Sequence, residues 1–242
     1  MKTAAILLLA ALMALCEMVG NASAQDTPQN DRADAIVQSE AMALQVKLAA
    51  KGLKFGAPVY IAIYKTERML DLWSQGADGK FALFKSYPIC DMSGGLGPKL
   101  AEGDNQAPEG FYEVTRDQLN PNSNFDLSIN IGYPNAYDRA HNRTGSALMI
   151  HGSCLSIGCY AMTDPSIEEI YSLVYASLAQ GEAPVEVHIF PFRMTSANMA
   201  DHAASRWFSF WATLKAGYDA FAATGRPPRI DVAAGQYVVT AQ

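Results

Sequence analysis

One short stretch of the chain gathers the residue types that nucleophilic chemistry needs. Met149-Ile150-His151-Gly152-Ser153-Cys154-Leu155-Ser156-Ile157-Gly158-Cys159 reads as a strand ending on a histidine, then a glycine, a short loop and a Gly-Cys step. A cysteine attacks as its thiolate, so it needs a base to take the proton and donors to hold the developing oxyanion. His151, eight residues before Cys159, can be that base. Gly158 lets the backbone approach a substrate carbonyl, and the N–H groups of Gly158 and Cys159 are candidate oxyanion donors. Spacing alone leaves other readings open. Cys154 and Cys159 could be bridged, or could serve a thiol oxidoreductase, although C-x-x-C is absent. With His151 they could hold a metal, although C-x4-C lacks a second ligand pair and no metal is expected. The thiols could also be buried and inert.

The cysteine count bears on that choice. Lys2, the apolar run at 4–15 and Ala22-Ser23-Ala24 read as a signal peptide, residues 1–24, cleaved after Ala24. The run falls short of the ~18–20 residues of a membrane span, and Leu15 does not fit a lipidation box before Cys16. The expectation is an exported, periplasmic protein with no integral span once the leader is removed. Cys90, Cys154 and Cys159 then remain, and at most two can pair. In an oxidising compartment a free thiol must be buried or have a job.

The elements that must position the stretch follow from composition and periodicity. The 242 residues are half apolar and 17% charged, with net charge −6. That excludes disorder and argues against a nucleic-acid partner, which would want a basic face. After a polar tail at 25–32, an amphipathic helix is expected from Ala33 to Lys51, closed by Gly52. Val59–Tyr64, Met69–Trp73 and Lys80–Tyr87 read as a β-meander. Residues 91–110, rich in glycine, form a long loop of the kind that carries function. Phe111–Thr115, Ser128–Gly132 and Ala147–Ile150 read as strands. Asp164 as N-cap and Pro165 at N1 start a helix that ends at Gly181. Val185–Phe190 alternates, with His188 on its polar, exposed side. Trp207, Phe210, Trp211, Leu214, Tyr218 and Phe221 mark one helical face, with Gly217 a candidate break, and this face is expected to pack on the β-domain. A hairpin turning at Ala234-Gly235 closes the chain.

The stretch around Cys159 resembles the nucleophile signature of the YkuD/ErfK-type L,D-transpeptidases, cysteine enzymes of peptidoglycan, and most closely their YafK-like branch. The likeness is carried by residues 130–164, by LGPKLAEGDNQAPEGFY at 96–112 and by PFRMTSANM at 191–199, and it extends over about Pro58 to Val239. It implies an α+β fold, mainly β, with a β-sandwich-like catalytic domain at 58–191. An N-terminal tail and helix at 25–57 precede it, and a helical appendage with a short hairpin follows at 192–242. It implies Cys159 as nucleophile, His151 as general base and acid, and Ser156 with Gly158 as the Ser-x-Gly that shapes the nucleophile loop. Gly152 matches the turn that presents the imidazole, and Pro108-Glu109-Gly110 matches a turn before a strand, with Ala107 where the family has threonine. The implied substrates are peptidoglycan stem peptides, cut or joined at a diaminopimelate carbonyl without a cofactor. Arg139, His141 and Arg143 are candidates to bind their carboxylates, and Tyr133 to donate to them; a solvated basic loop and an aromatic lining are the alternatives. Cys90 and Cys154 are a second candidate disulfide.

The sequence also departs from the family. Ile157 stands where most relatives have histidine, and Ala161 where most have arginine. Both are features of the YafK-like branch, associated with hydrolysis of the link between peptidoglycan and a lipoprotein lysine. The expected activity is therefore hydrolysis, with crosslinking transpeptidation and a non-catalytic peptidoglycan-binding module as the alternatives.

Overall fold

The structure is a computed structural model that describes residues 30–181 and 183–242. The leader at 1–24 and Cys16 lie outside these residues. Helix α1, Asp31–Ala49, starts two residues before the expected Ala33, because the Asn30 side chain accepts the Ala33 N–H and caps it.

Strands β1 (Val59–Tyr64), β2 (Met69–Gln75) and β3 (Phe81–Pro88) form the expected antiparallel meander. Next come β4 (Gly110–Val114), β5 (Leu119–Asn120), β6 (Ser128–Asn130), the short helix α2 (Ala136–Ala140), β7 (Met149–His151) and β8 (Tyr160–Ala161). Helix α3 (Asp164–Gln180) and β9 (Val185–Phe190) follow, then α4 (Ser196–Asp201), α5 (Phe208–Thr224) and the hairpin β10 (Arg229–Ala233) and β11 (Gln236–Thr240). One sheet has the order β3-β2-β1-β9-β4 and a second the order β5-β6-β7-β8. β9 runs parallel to β1 and antiparallel to β4. The fold is α+β, as expected.

Both faces of the five-stranded sheet are covered, which explains why every residue of β1 is buried. Ile61 and Ile63 enter the main core with Val187 and Ile189, against the second sheet, α3 and α1. Tyr60, Ala62 and Tyr64 enter a second core under α5 and the hairpin, with Phe190, Trp211 and Leu214. This second core corrects the reading of His188. The alternation of β9 is real, but its second face meets protein rather than water, and His188 is fully buried between Tyr60 and Phe111.

Three local readings also change. Gly217 does not break α5. A Cβ there would lie 2.5 Å from Phe111 Cζ, so the glycine lets the helix approach the sheet. Asp164 does not cap α3; Thr163 holds that position, and Asp164 Oδ1 instead accepts the Ser153 N–H at 2.6 Å. The basic segment around Arg139 is not an open loop, because Asn135 caps α2 through the Asp138 N–H at 2.8 Å. The hairpin turns at Ala234 and Gly235, both at positive φ, as its residues foretell.

Candidate active site

β7 and the start of β8 position the two candidate side chains, His151 and Cys159. The two strands are parallel neighbours, with Ile150 paired to Tyr160 and His151 to Ala161. Ile150 and Tyr160 point into the main core, so His151 points to the other face. Cys159 immediately precedes β8, one residue before Tyr160. The parallel pairing thus sets the end of β7, with His151, beside the start of β8, with Cys159 just before it.

The histidine is held in a defined state. Its ring is buried, with the Phe125 ring 4.8 Å away, and its Nδ1 lies 2.6 Å from the carbonyl oxygen of Gly152. A carbonyl can only accept, so Nδ1 carries the hydrogen and the neutral ring keeps its lone pair on Nε2. Burial holds the imidazole below its usual range, and the Gly152 bond opposes that in part. Gly152 itself has no room for a side chain. A Cβ would sit 2.7 Å from both Asp164 Oδ1 and the Phe125 carbonyl oxygen.

Cys159 is the free thiol among the described residues, because Cys90 and Cys154 are bridged. That closes the alternative of a Cys154–Cys159 bond. The Cys159 sulfur lies 3.7 Å from the Ala147 carbonyl. Burial pushes the thiol up; a backbone hydrogen bond from Met149 and the charge of Lys99 pull it back in part. The loop before it is pinned at several points. The Ser156 hydroxyl donates to the Cys159 carbonyl at 2.7 Å and accepts the Gly158 N–H at 3.3 Å. Asp91 accepts the Ser156 N–H at 2.9 Å, and the disulfide ties Cys154 to the segment beside β8, where Cys90 N–H bonds Ala161. Gly158 has φ +133°, a conformation that favours glycine, and a Cβ would meet only ordinary contacts. The backbone angle, rather than space, calls for glycine. The Gly158 N–H is engaged, so the Cys159 N–H is the better candidate oxyanion donor.

Lys99, Asp91 and Phe125 escaped the sequence reading. Lys99 is buried, and two of its N–H groups go to Asp104 Oδ1 at 2.5 Å and the Ala101 carbonyl at 2.8 Å. It belongs to the long loop 91–110, whose anchorage is a buried cluster. Lys65 Nζ meets Glu109 Oε1 at 3.1 Å; the same carboxylate accepts the Gly97 N–H at 2.7 Å and the Trp211 indole N–H at 2.7 Å.

The candidate substrate-binding residues fare unevenly. Arg143 is only 7% exposed, bonded to the fully buried Asp138 at 2.8 Å and stacked over Tyr137 and Phe210. It is a structural ion pair five residues apart across a short helix, and is not open to a ligand. Tyr133 is buried, its hydroxyl 3.2 Å from the Lys99 carbonyl. Arg139 is exposed, and with Tyr133 it lines a cleft whose walls do not include Cys159 or His151. Among the described residues no group of His, Cys, Asp and Glu could hold a metal ion.

Residues 58–187 match the model of the YkuD family, the L,D-transpeptidase catalytic domain. The chain belongs to the YkuD L,D-transpeptidase family. It is 54% identical over 185 residues to the candidate L,D-transpeptidase YafK of Escherichia coli strain K12, covering 76% of this chain and 75% of that one, and equally to its counterpart in strain O157:H7. The crystal structure of the helical cell shape determining protein Pgp2 of Campylobacter jejuni (K307A mutant) aligns with a TM-score of 0.45 at 22% identity. That alignment covers 79% of this chain and 65% of that one. Bd1075 of Bdellovibrio bacteriovorus aligns at 0.39 and 20%, over 56% and 48%. No helix among the described residues of this L,D-transpeptidase-family chain is long and apolar enough to cross a membrane.

Proposed function

We propose that the protein is a periplasmic cysteine acyl-transfer enzyme of peptidoglycan stem peptides, and that it hydrolyses the amide joining a diaminopimelate carbonyl to a lipoprotein lysine. One observation supports this reading: a free thiol just before β8 and a histidine with its lone pair on Nε2 at the end of the neighbouring parallel strand β7, with the loop between them pinned by Ser156, Asp91 and a disulfide.

In this reading His151 Nε2 takes the Cys159 proton as sulfur attacks the carbonyl carbon. The oxyanion forms against the Cys159 N–H. The C–N bond then breaks, and the leaving amine takes the proton from His151. Water attacks the resulting thioester, giving its proton to His151, and the thiol is restored as the carboxylate leaves. No cofactor enters the scheme.

Preference for water rests on what surrounds the thiol. Ile157 is 84% exposed and Ala161 is buried in β8, so neither position offers a cation to an acceptor stem peptide. Arg143 is committed to Asp138, Arg139 lines a different cleft, and Lys99 is largely saturated by Asp104 and Ala101. A missing charge-assisted contact disfavours the carboxylate-bearing acceptor by roughly 1–3 kcal/mol, while water needs no anchor. The test is a competition assay. One donor peptide with lysine on its diaminopimelate carbonyl is incubated with excess stem-peptide acceptor and resolved by mass spectrometry. Free hydrolysed peptide should dominate. Predominance of crosslinked dimers would replace hydrolysis with transpeptidation, and no product from wild type would point to a binding module.

A further inference from the structure

A cleft of ≈ 650 Å³ runs along the free edge of β4, walled by α2 and by the hairpin β10–β11. Its charges are arranged at a cost. Glu113 and Glu186 are direct register partners across β4 and β9, and like charges placed opposite one another destabilise a sheet. Asp231 of β10 adds a third carboxylate, paired with Arg229 at 3.0 Å on the exposed hairpin. Among the described residues Glu113 and Glu186 have no Lys or Arg partner. Burial, followed by repulsion from Glu186 and Asp231, lifts the Glu113 carboxyl above its usual range.

A second observation lies behind Glu186. His188 is fully buried, its Nδ1 within 3.2 Å of the Tyr60 hydroxyl. Its Nε2 is aimed at Glu186 Oε2, 3.4 Å away, without a hydrogen bond to it or to any other group. On the α2 wall Arg139 makes no ion pair among the described residues; its guanidinium donates only to the Pro134 carbonyl. Glu113 and Arg139, neither with an ion-pair partner among the described residues, therefore line one cleft.

A peptide adding as an extra strand does not suit this edge. The backbone of β4 is already capped there, by Asn135 on the Phe111 carbonyl at 2.7 Å, Gln118 on the Glu113 carbonyl at 3.2 Å and the Tyr237 hydroxyl near the Phe111 N–H. A compact ligand that brings its own separated charges does suit it.

We propose that this cleft is a binding site for a zwitterionic ligand of the amino-acid or short-peptide class, its ammonium taken by Glu113 and Glu186 and its carboxylate by Arg139. The site is independent of the thiol chemistry, and its test does not use turnover. Full-length protein, ¹⁵N-labelled, is titrated with alanylalanine of either chirality, its N-acetyl derivative and its C-terminal amide, following amide resonances. The zwitterion should give saturable shifts confined to residues near 111–113, 130–139 and 230–237. Each derivative loses one charge-assisted contact and should bind at least about tenfold more weakly. Glu186→Gln and Arg139→Gln should each weaken the zwitterion by a similar factor, with the melting temperature and Cys159 alkylation checking that the fold persists. Absence of saturable shifts, shifts scattered over the surface, or derivatives that bind like the parent would overturn the proposal.

Discussion

At the residue scale, the charge state of the reactive pair follows from burial. Desolvation disfavours the charged form of each partner, so His151 sits below its ordinary range and Cys159 above it. Between those two shifted values both groups are neutral, and the resting pair is thiol and imidazole rather than thiolate and imidazolium. Iodoacetamide alkylation of Cys159 should therefore rise about tenfold per unit pH from 6 to 8, tracking the thiolate fraction. A rate plateau across that range, lost in His151→Ala, would show a preformed ion pair instead. Turnover should respond differently, falling roughly 10²–10⁴-fold in His151→Ala, because proton transfer is then unassisted. Lys99 supplies the facing cation that opposes the upward shift. Lys99→Met should move the alkylation profile further toward alkaline pH; an unmoved profile would remove Lys99 from the thiol's surroundings. Cys159 and His151 stand out as candidates in the sequence because their spacing across a glycine loop is local. Lys99 does not, since it lies sixty residues earlier and its charge acts on the thiol only through the fold of loop 91–110. Arg143 misled because its buried partner, Asp138, becomes visible only once α2 forms.

At the element scale, the nucleophile loop between β7 and β8 has little regular structure of its own and borrows rigidity from its neighbours. The Cys90–Cys154 bond links it to the end of β3 across a separation of 64 residues. Chain-entropy reasoning assigns such a closure about 4 kcal/mol at 25 °C. The double variant Cys90→Ala/Cys154→Ala should thus melt well below wild type. It should still alkylate at Cys159, because Ser156 and Asp91 hold the loop independently of the bond. Loss of selective alkylation with the fold intact, judged by circular dichroism, would show that the disulfide alone shapes the site. The sequence identified both candidate bridges but could not choose, since pairing depends on distance. Elements with strong period or turn chemistry, such as β1–β3, α3 and the final hairpin, were readable. The exposure of His188 was not, because strand alternation reports two faces without saying what covers the second. The same gap explains Gly217, which reads as a helix breaker until Phe111 is seen beneath it.

At the scale of the whole molecule, one buried carboxylate joins the C-terminal segment to the loop that carries Lys99. Glu109 binds Lys65 of the loop after β1, the Gly97 N–H and the Trp211 indole, so strand edge, loop and α5 meet at one side chain. Burial lowers the Lys65 ammonium and the Glu109 charge opposes that, so the Lys65 charge is supported by its carboxylate partner. Gly97 also lies directly beneath the residue that precedes α5, since a Cβ there would overlap Trp207 Nε1 at 2.2 Å. The start of α5 therefore clamps the loop that carries Lys99 toward the thiol. Trp211→Phe keeps most of the aromatic volume and removes only the indole donor, leaving Glu109 Oε2 buried and short of a partner. The expected cost is roughly 1–3 kcal/mol of stability, the range for an unsatisfied buried polar group. Because the loop is loosened rather than emptied of charge, the Cys159 alkylation profile should shift toward alkaline pH by less than in Lys99→Met. Thermal melts and alkylation against pH, run on the same samples, check both expectations. A lowered melting temperature with an unmoved alkylation profile would mean that α5 stabilises the fold without reaching the active centre, and an unchanged melting temperature would mean that Glu109 does not need the indole.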